Sequence, residues 1–247
     1  MKHIANDYNS IPMKTYNPWP NGLVPKHLQR PEIQILKELG YVFDDARELN
    51  AMFESRIANF AGSEYCILTD CCTHALELCL RYQLQFGHLK TYDRITIPEN
   101  TYVSVYHMLK QIGMININVE PIEWSGVYHI KGTNVIDGAV RWERNMYIAD
   151  AFQCVSFQIK KMIPIGRGGC ILTNSKEAAD WLRLATYDGR DLTLPYDHPD
   201  HVKMSGYHYY MTPEDAARGL MLMDMVEGRG DTGNHESYPN IKKMLKL

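Results

Sequence analysis

Short apolar runs alternate with helical stretches along most of the 247-residue chain, which predicts an α/β layer fold with a largely parallel sheet. Three observations carry this. Glu64-Tyr-Cys-Ile-Leu-Thr69, Arg94-Ile-Thr-Ile-Pro98 and Asn134-Val-Ile-Asp137 read as strands buried on both faces. The stretches between strands place apolar residues at helical spacing, as in the segment holding Leu49, Met52, Phe53, Ile57 and Phe60. Thr73, Tyr102, Asp137 and Ser156 all fall just past strands, at the edge where open α/β sheets bind ligands.

The elements follow in order. Residues 1–31 carry Pro12, Pro18, Pro20, Pro25 and Pro31; the segment Tyr16-Asn-Pro-Trp-Pro-Asn-Gly22 cannot be helix or central strand, which predicts an extended arm. Trp19 anchors that arm against the body or a second subunit, or the arm borders the active site. Helices are expected from Pro31 to Leu39 and from about Asp44 to the stop at Gly62. After the strand at 64–69 comes the turn Asp70-Cys-Cys-Thr73, then a helix from His74 to Tyr82. A strand, a short turn with a hydroxyl and a helix together present backbone N–H groups to an anion at the helix N-terminus, although a plain connection capped by Thr73 has the same pattern. The strand 94–98, the loop Glu99-Asn-Thr-Tyr102, the helix Val103–Ile112 and the strand Ile115–Val119 come next. Residues 120–133 read as irregular, with Trp124 and Tyr128 as packing residues. The strand 134–137 ends in a carboxylate. Tyr147–Val155 reads as turn then strand, and Cys170–Thr173 as a second short strand. Ser175 caps a helix to Leu184, with Glu177 in its first turn. Residues 186–207 are loop-rich, and Pro213 opens a helix reaching Met225. The expected domains are an arm at 1–31, an α/β domain at 32–226 and a short tail at 227–247, loose except for a basic helix at Ile241–Leu247.

Composition narrows the function classes. With 45% hydrophobic and 22% charged residues, the chain has an ordinary globular balance and can bury one sizeable core. Its net charge of −3 gives no reason to expect nucleic acid or a membrane surface as partner. No apolar run reaches the ~18 residues of a membrane span. The N-terminal Met1-Lys-His-Ile-Ala-Asn-Asp7 lacks the apolar core of a signal peptide. Most of the six cysteines lie in apolar segments, so reduced thiols and a cytoplasmic location are expected. Cys71 and Cys72 have His74 nearby but no second pair at zinc-site spacing, so no metal is expected.

The chemistry concentrates at Ser156-Phe-Gln-Ile-Lys-Lys161, between a strand and the turn Gly166-Arg-Gly-Gly169. A hydroxyl five residues before a lysine, ahead of a glycine turn, suits pyridoxal phosphate (PLP): the serine binds phosphate and the lysine forms a Schiff base. A solvated lysine at a strand end has the same appearance. The five-residue step selects Lys161 over Lys160.

From about Ala46 to Met225 the chain resembles the DegT-type PLP-dependent sugar aminotransferases of the fold-type I class. Phe53–Gly62 is similar to the helix leading to the first strand. Thr69-Asp-Cys-Cys-Thr-His-Ala-Leu76 is similar to the turn that holds the phosphate, which implies Cys72 and Thr73 as phosphate contacts. Pro98–Val103 resembles the loop whose aromatic residue, here Tyr102, stacks on the pyridine ring. Val135-Ile-Asp137 corresponds to the aspartate that pairs with the ring nitrogen. Ser156–Lys161 resembles the serine-to-lysine element, with Lys161 as the Schiff-base lysine. Gly168–Asn174 matches the following turn and strand, and Gly206–Thr212 the late Gly-Tyr-Asn-Tyr-Arg-Met element. The resemblance implies a three-layer sandwich with a mostly parallel sheet, the large domain of fold-type I. It also implies a homodimer with shared active sites, in which His208 occupies the place of an asparagine that reaches the partner's phosphate. The implied reaction is amine transfer from an amino acid, glutamate, to a keto-sugar nucleotide or similar carbonyl compound. A dehydratase branch has histidine at the lysine position, so Lys161 implies transamination.

Four departures stand against the pattern. Cys71-Cys72 replaces Ser-Gly, Val140 stands where glutamine or histidine is usual, and His208 replaces asparagine. The chain also stops where the family continues into a small C-terminal domain of more than ~100 residues, the size of many whole domains, so that domain is expected to be largely missing. These departures keep open an alternative: a reduced or inactive relative acting as a PLP-binding structural or regulatory partner.

Overall fold

Alternate residues of the central strands feed two separate cores. The computed structural model describes residues 30–226 and 230–247; residues 1–29, with Trp19 and nearly all of the expected arm, lie outside them. In β1 (Tyr65–Thr69), Cys66 and Leu68 face one core and Ile67 the other. In β8 (Gly169–Thr173), Cys170 and Leu172 oppose Ile171 in the same way. The first core is filled by α1 (Glu32–Glu38), α2 (Glu48–Ala61) and α6 (Pro213–Val226), through Leu36, Phe53, Ile57 and Leu220. The second is filled by α3 (Cys72–Gln85), α4 (Val103–Gln111) and α5 (Lys176–Thr186), through Leu76, Leu109 and Leu182. Helices therefore cover both faces of the sheet, the three-layer α/β architecture. Phe53 is fully buried, and burying such a side chain contributes about 2 kcal/mol.

The remaining strands are β2 (Arg94–Pro98), β3 (Asn116–Glu120), β4 (Tyr128–His129), β5 (Val135–Asp137), β6 (Arg141–Trp142), β7 (Phe152–Ser156) and β9 (Asp231–Thr232). The main sheet has the order β1-β8-β7-β5-β4, and β2 and β3 form a parallel pair. Thr96 of β2 exchanges two 3.0 Å backbone hydrogen bonds with Lys131, which ties that pair to the turn between β4 and β5. Gly132, at φ +96°, makes this turn possible, because a Cβ there would stand 2.4 Å from the Arg94 carbonyl oxygen. Five strands, β1, β2, β3, β5 and β7, run in one direction, and β4 and β8 oppose them. The reversal of β8 has a simple cause. Residues 157–168 join it to β7 without a crossover helix, and a parallel pairing needs one.

Ser175 caps α5 as expected, its hydroxyl accepting from Ala178 N at 3.2 Å. The loose tail expected at 227–247 is corrected by the structure: residues 230–247 pack onto the sheet's edge and belong to one compact unit, Glu32–Leu247. There β9 pairs with β6, Gly126 N donates to Gly233 O at 2.7 Å, and His235 N donates to Trp124 O at 3.1 Å. Ile241 of α7 (Ile241–Leu245) is fully buried, and its N–H reaches Glu99 O at 2.7 Å. Glycine-rich composition suggested mobility, but backbone pairing and one buried isoleucine fix the segment. Among the described residues, no helix is long and apolar enough to cross a membrane.

Candidate active site

Because β1, β5 and β7 run the same way, the residues at their carboxyl ends gather at one edge of the sheet. Asp137 is the last residue of β5 and Ser156 the last of β7. The connection that reverses into β8 carries Lys161. The turn after β1 leads directly into α3 with Cys72 and Thr73.

Asp137 is 7% exposed. Its Oδ2 accepts from the Tyr128 hydroxyl at 2.7 Å and its Oδ1 from Ala139 N at 2.9 Å. Burial pushes its pKa up, against the opposing effects of those two donors and of the Lys161 charge. Among the described residues, no cation forms an ion pair with it. Tyr128 also shares a 2.6 Å hydrogen bond with Thr101, and burial followed by the Asp137 charge raises its phenol pKa well above normal.

Lys161 is half-buried and donates from Nζ to the Tyr238 hydroxyl at 2.9 Å. Nζ also stands 5.6 Å from the centre of the Tyr238 ring. The adjacent Lys160 is exposed, and its backbone N–H bonds Gln158 Oε1. Ser156 is buried and lines a small cleft together with Lys161, Val140 and Met162. Val140 contributes only methyl groups there, where the resemblance leads one to expect an amide or imidazole.

At the start of α3, the N-cap residue Cys71 makes no side-chain capping bond to the first-turn N–H groups. Cys72 is buried, and burial, then the Asp137 charge, raises its thiol pKa well above normal. Thr73 Oγ1 lies 2.7 Å from Ser104 Oγ. Gly169 permits β8 to approach this turn, since a Cβ there would stand 2.5 Å from Cys72 N. Asp70, Cys71 and His74 bring three metal-ligating atoms within 4.8 Å of one another. Arg167 Nη2 already sits 2.8 Å from Asp70 Oδ2, however, and its positive charge competes with a metal ion.

The sequence-derived residues thus divide. Asp137, Lys161, Ser156, Cys72 and Thr73 come to the same edge. Tyr102 is the N-cap of α4 beside that edge, with its side chain outward and 59% exposed. His208 is directed elsewhere: its Nδ1 pairs with Asp188 at 3.1 Å and its side chain is 70% exposed. Two participants escaped the sequence reading. Tyr128 was assigned to packing, and it does pack, with its ring 5.2 Å from Trp124, but its hydroxyl serves Asp137. Tyr238 fell in the supposed tail. The only available signal was a pair of tyrosines whose partners lie far along the chain.

Comparison with known proteins gives a consistent picture. The DegT/DnrJ/EryC1/StrS aminotransferase family model matches residues 42–126 and 138–236. No curated protein matches the sequence significantly. Among solved structures, the sugar aminotransferase CalS13 from Micromonospora echinospora is similar at 13% identity and TM-score 0.59, over 78% of this chain and 64% of that one. Helicobacter pylori PseC, an aminotransferase involved in the biosynthesis of pseudoaminic acid, is similar at 16% identity and TM-score 0.56, over 79% and 62%. A GDP-4-keto-6-deoxymannose-3-dehydratase with a trapped PLP-glutamate geminal diamine is similar at 16% identity and TM-score 0.59, over 78% and 64%. The chain therefore spans less than two thirds of the length of these relatives.

Proposed function

The chain belongs to the DegT/DnrJ/EryC1/StrS aminotransferase family, and on that footing we propose that it is a PLP-dependent aminotransferase moving an amino group from glutamate to the carbonyl of a keto-sugar nucleotide. One observation carries the reading. Asp137, a buried carboxylate with no ion-pair partner among the described residues, and Lys161, a half-buried amine, occupy neighbouring strand exits and feel each other's charge. The groups present fit the cofactor. Asp137 needs a cation, which a protonated pyridine nitrogen provides. Lys161 offers an amine to an aldehyde, and the uncapped first turn of α3 offers N–H groups to a phosphate.

Bound PLP supplies an electron sink for the donor's Cα. Asp137 orients the ring nitrogen and holds its proton, and Tyr128 and Ala139 N donate to that carboxylate and oppose the rise in its pKa that burial causes. Lys161 moves the proton at the donor Cα. Cys72, Thr73 and Ser156 hold the phosphate end, and Tyr102 covers one face of the ring. The PLP-binding part lies within the compact unit 32–247. We place His208 in the site of a second subunit of a homodimer, where it reaches the phosphate. Sedimentation at monomer mass contradicts that assembly.

Release of 2-oxoglutarate from glutamate, in proportion to enzyme and dependent on added PLP, tests the activity. A second reading, a PLP-binding relative without turnover, draws on the Tyr238 hydroxyl already engaging Lys161. It predicts cofactor binding with no 2-oxoglutarate, whereas aminotransfer predicts both.

A further inference from the structure

We propose that residues 231–245 form a strap across the site and that its Tyr238 is a holding residue for Lys161, keeping the amine in place until an aldehyde claims it. The inference rests on Lys161 being the reactive lysine.

The strap is anchored on both sides of the site. At one end β9 pairs with β6 just beyond β5, and Gly233 N donates to Val140 O at 3.2 Å. At the other end Asn240 bridges Asn100, and Ile241 N bonds Glu99 O, just beyond β2. The chain between them therefore crosses from the carboxyl end of β5 to that of β2. Tyr238 is the point of this crossing that reaches inward. Asn100 Nδ2 holds its carbonyl at 2.8 Å, and the Trp124 ring packs against its ring at 5.5 Å.

Packing alone accounts for the ring but not for the hydroxyl, which accepts from Lys161 Nζ at 2.9 Å. Burial raises the pKa of this phenol, with Lys161 opposing and the charges of Asp137 and Cys72 adding to the rise. The hydroxyl therefore stays neutral at physiological pH. It is an acceptor that holds the lysine amine without forming a permanent ion pair. A lysine held in this way is available to a carbonyl that displaces one neutral hydrogen bond, and Tyr238 remains in reach when the amine is set free again.

The test is residue-resolved reductive methylation of the full chain with formaldehyde and cyanoborohydride, read by fragmentation mass spectrometry. Exposed Lys160 serves as the internal standard. Tyr238→Phe keeps the ring and removes the acceptor. It should raise the Lys161-to-Lys160 labelling ratio about tenfold, the scale of one hydrogen bond to a charged group. Asn100→Ala, which frees the Tyr238 carbonyl, should raise the ratio by a smaller factor. An unchanged ratio in Tyr238→Phe overturns the inference. If circular dichroism shows that variant unfolded, an unchanged ratio in Asn100→Ala overturns it instead. Labelling needs no PLP, so the two readings fail separately. A raised ratio with no PLP adduct keeps the hold of Tyr238 on Lys161 and loses the proposed activity, and PLP-dependent release of 2-oxoglutarate with an unchanged ratio does the reverse.

Discussion

At Asp137 burial and hydrogen bonding act in opposite directions, and burial prevails, so the carboxyl pKa is raised and a cation placed beside it would offset the cost of its charge. His74 shows the opposite balance. Burial disfavours its charged form, yet hydrogen bonds to Asp70 (2.5 Å) and Cys71 raise its pKa to about 9 from 6.5. A pKa raised on folding gives stability that is fully present below pH 6.5 and is lost as pH rises through about 9. Asp70→Asn should therefore cost about 1 kcal/mol more at pH 6 than at pH 9.5, after allowing for solvent screening of a half-buried pair. Urea unfolding at the two pH values measures this, and an equal loss at both contradicts the assignment. The residue scale also shows what the sequence reveals and what it hides. Lys161 is legible because its serine lies five residues away on the same strand exit. Tyr128 and Tyr238 are not, since their hydroxyls serve partners 9 and 77 residues distant. His208 matched by position, but its imidazole lies with Asp188.

Elements were legible where burial leaves a pattern. β1, β2, β5 and β7 are apolar runs, and Ser175 marks the start of α5 by its side chain. The two-residue strands β4, β6 and β9 are too short to show a period, and the direction of β8 depends on a connection whose geometry is not written in its composition. The contact between β8 and α3 yields a prediction at this scale. Gly169→Ala drives a methyl group into the Cys71–Cys72 backbone, which a core side chain could yield to but a helix start cannot. It should destabilise the protein by about 2 kcal/mol in urea unfolding and weaken cofactor binding at the same turn. Wild-type stability would mean that β8 moves freely from α3.

For the whole molecule, one arrangement links the fold to the proposed activity: strands running together bring a carboxylate, a lysine and a helix start to one edge, and the returning chain crosses them. Alternation predicted the α/β layer fold with a largely parallel sheet, and the resemblance implied its three layers. The strap was not predictable, because its glycines mask a segment held by backbone pairing. The proposed reaction would depend on Lys161 more than on any other residue. The measurement that tests this most directly is borohydride reduction of the protein incubated with PLP, followed by peptide mapping. The adduct should lie on Lys161, disappear in Lys161→Ala and persist in Lys160→Ala; an adduct that maps to Lys160, or survives in Lys161→Ala, would contradict the account.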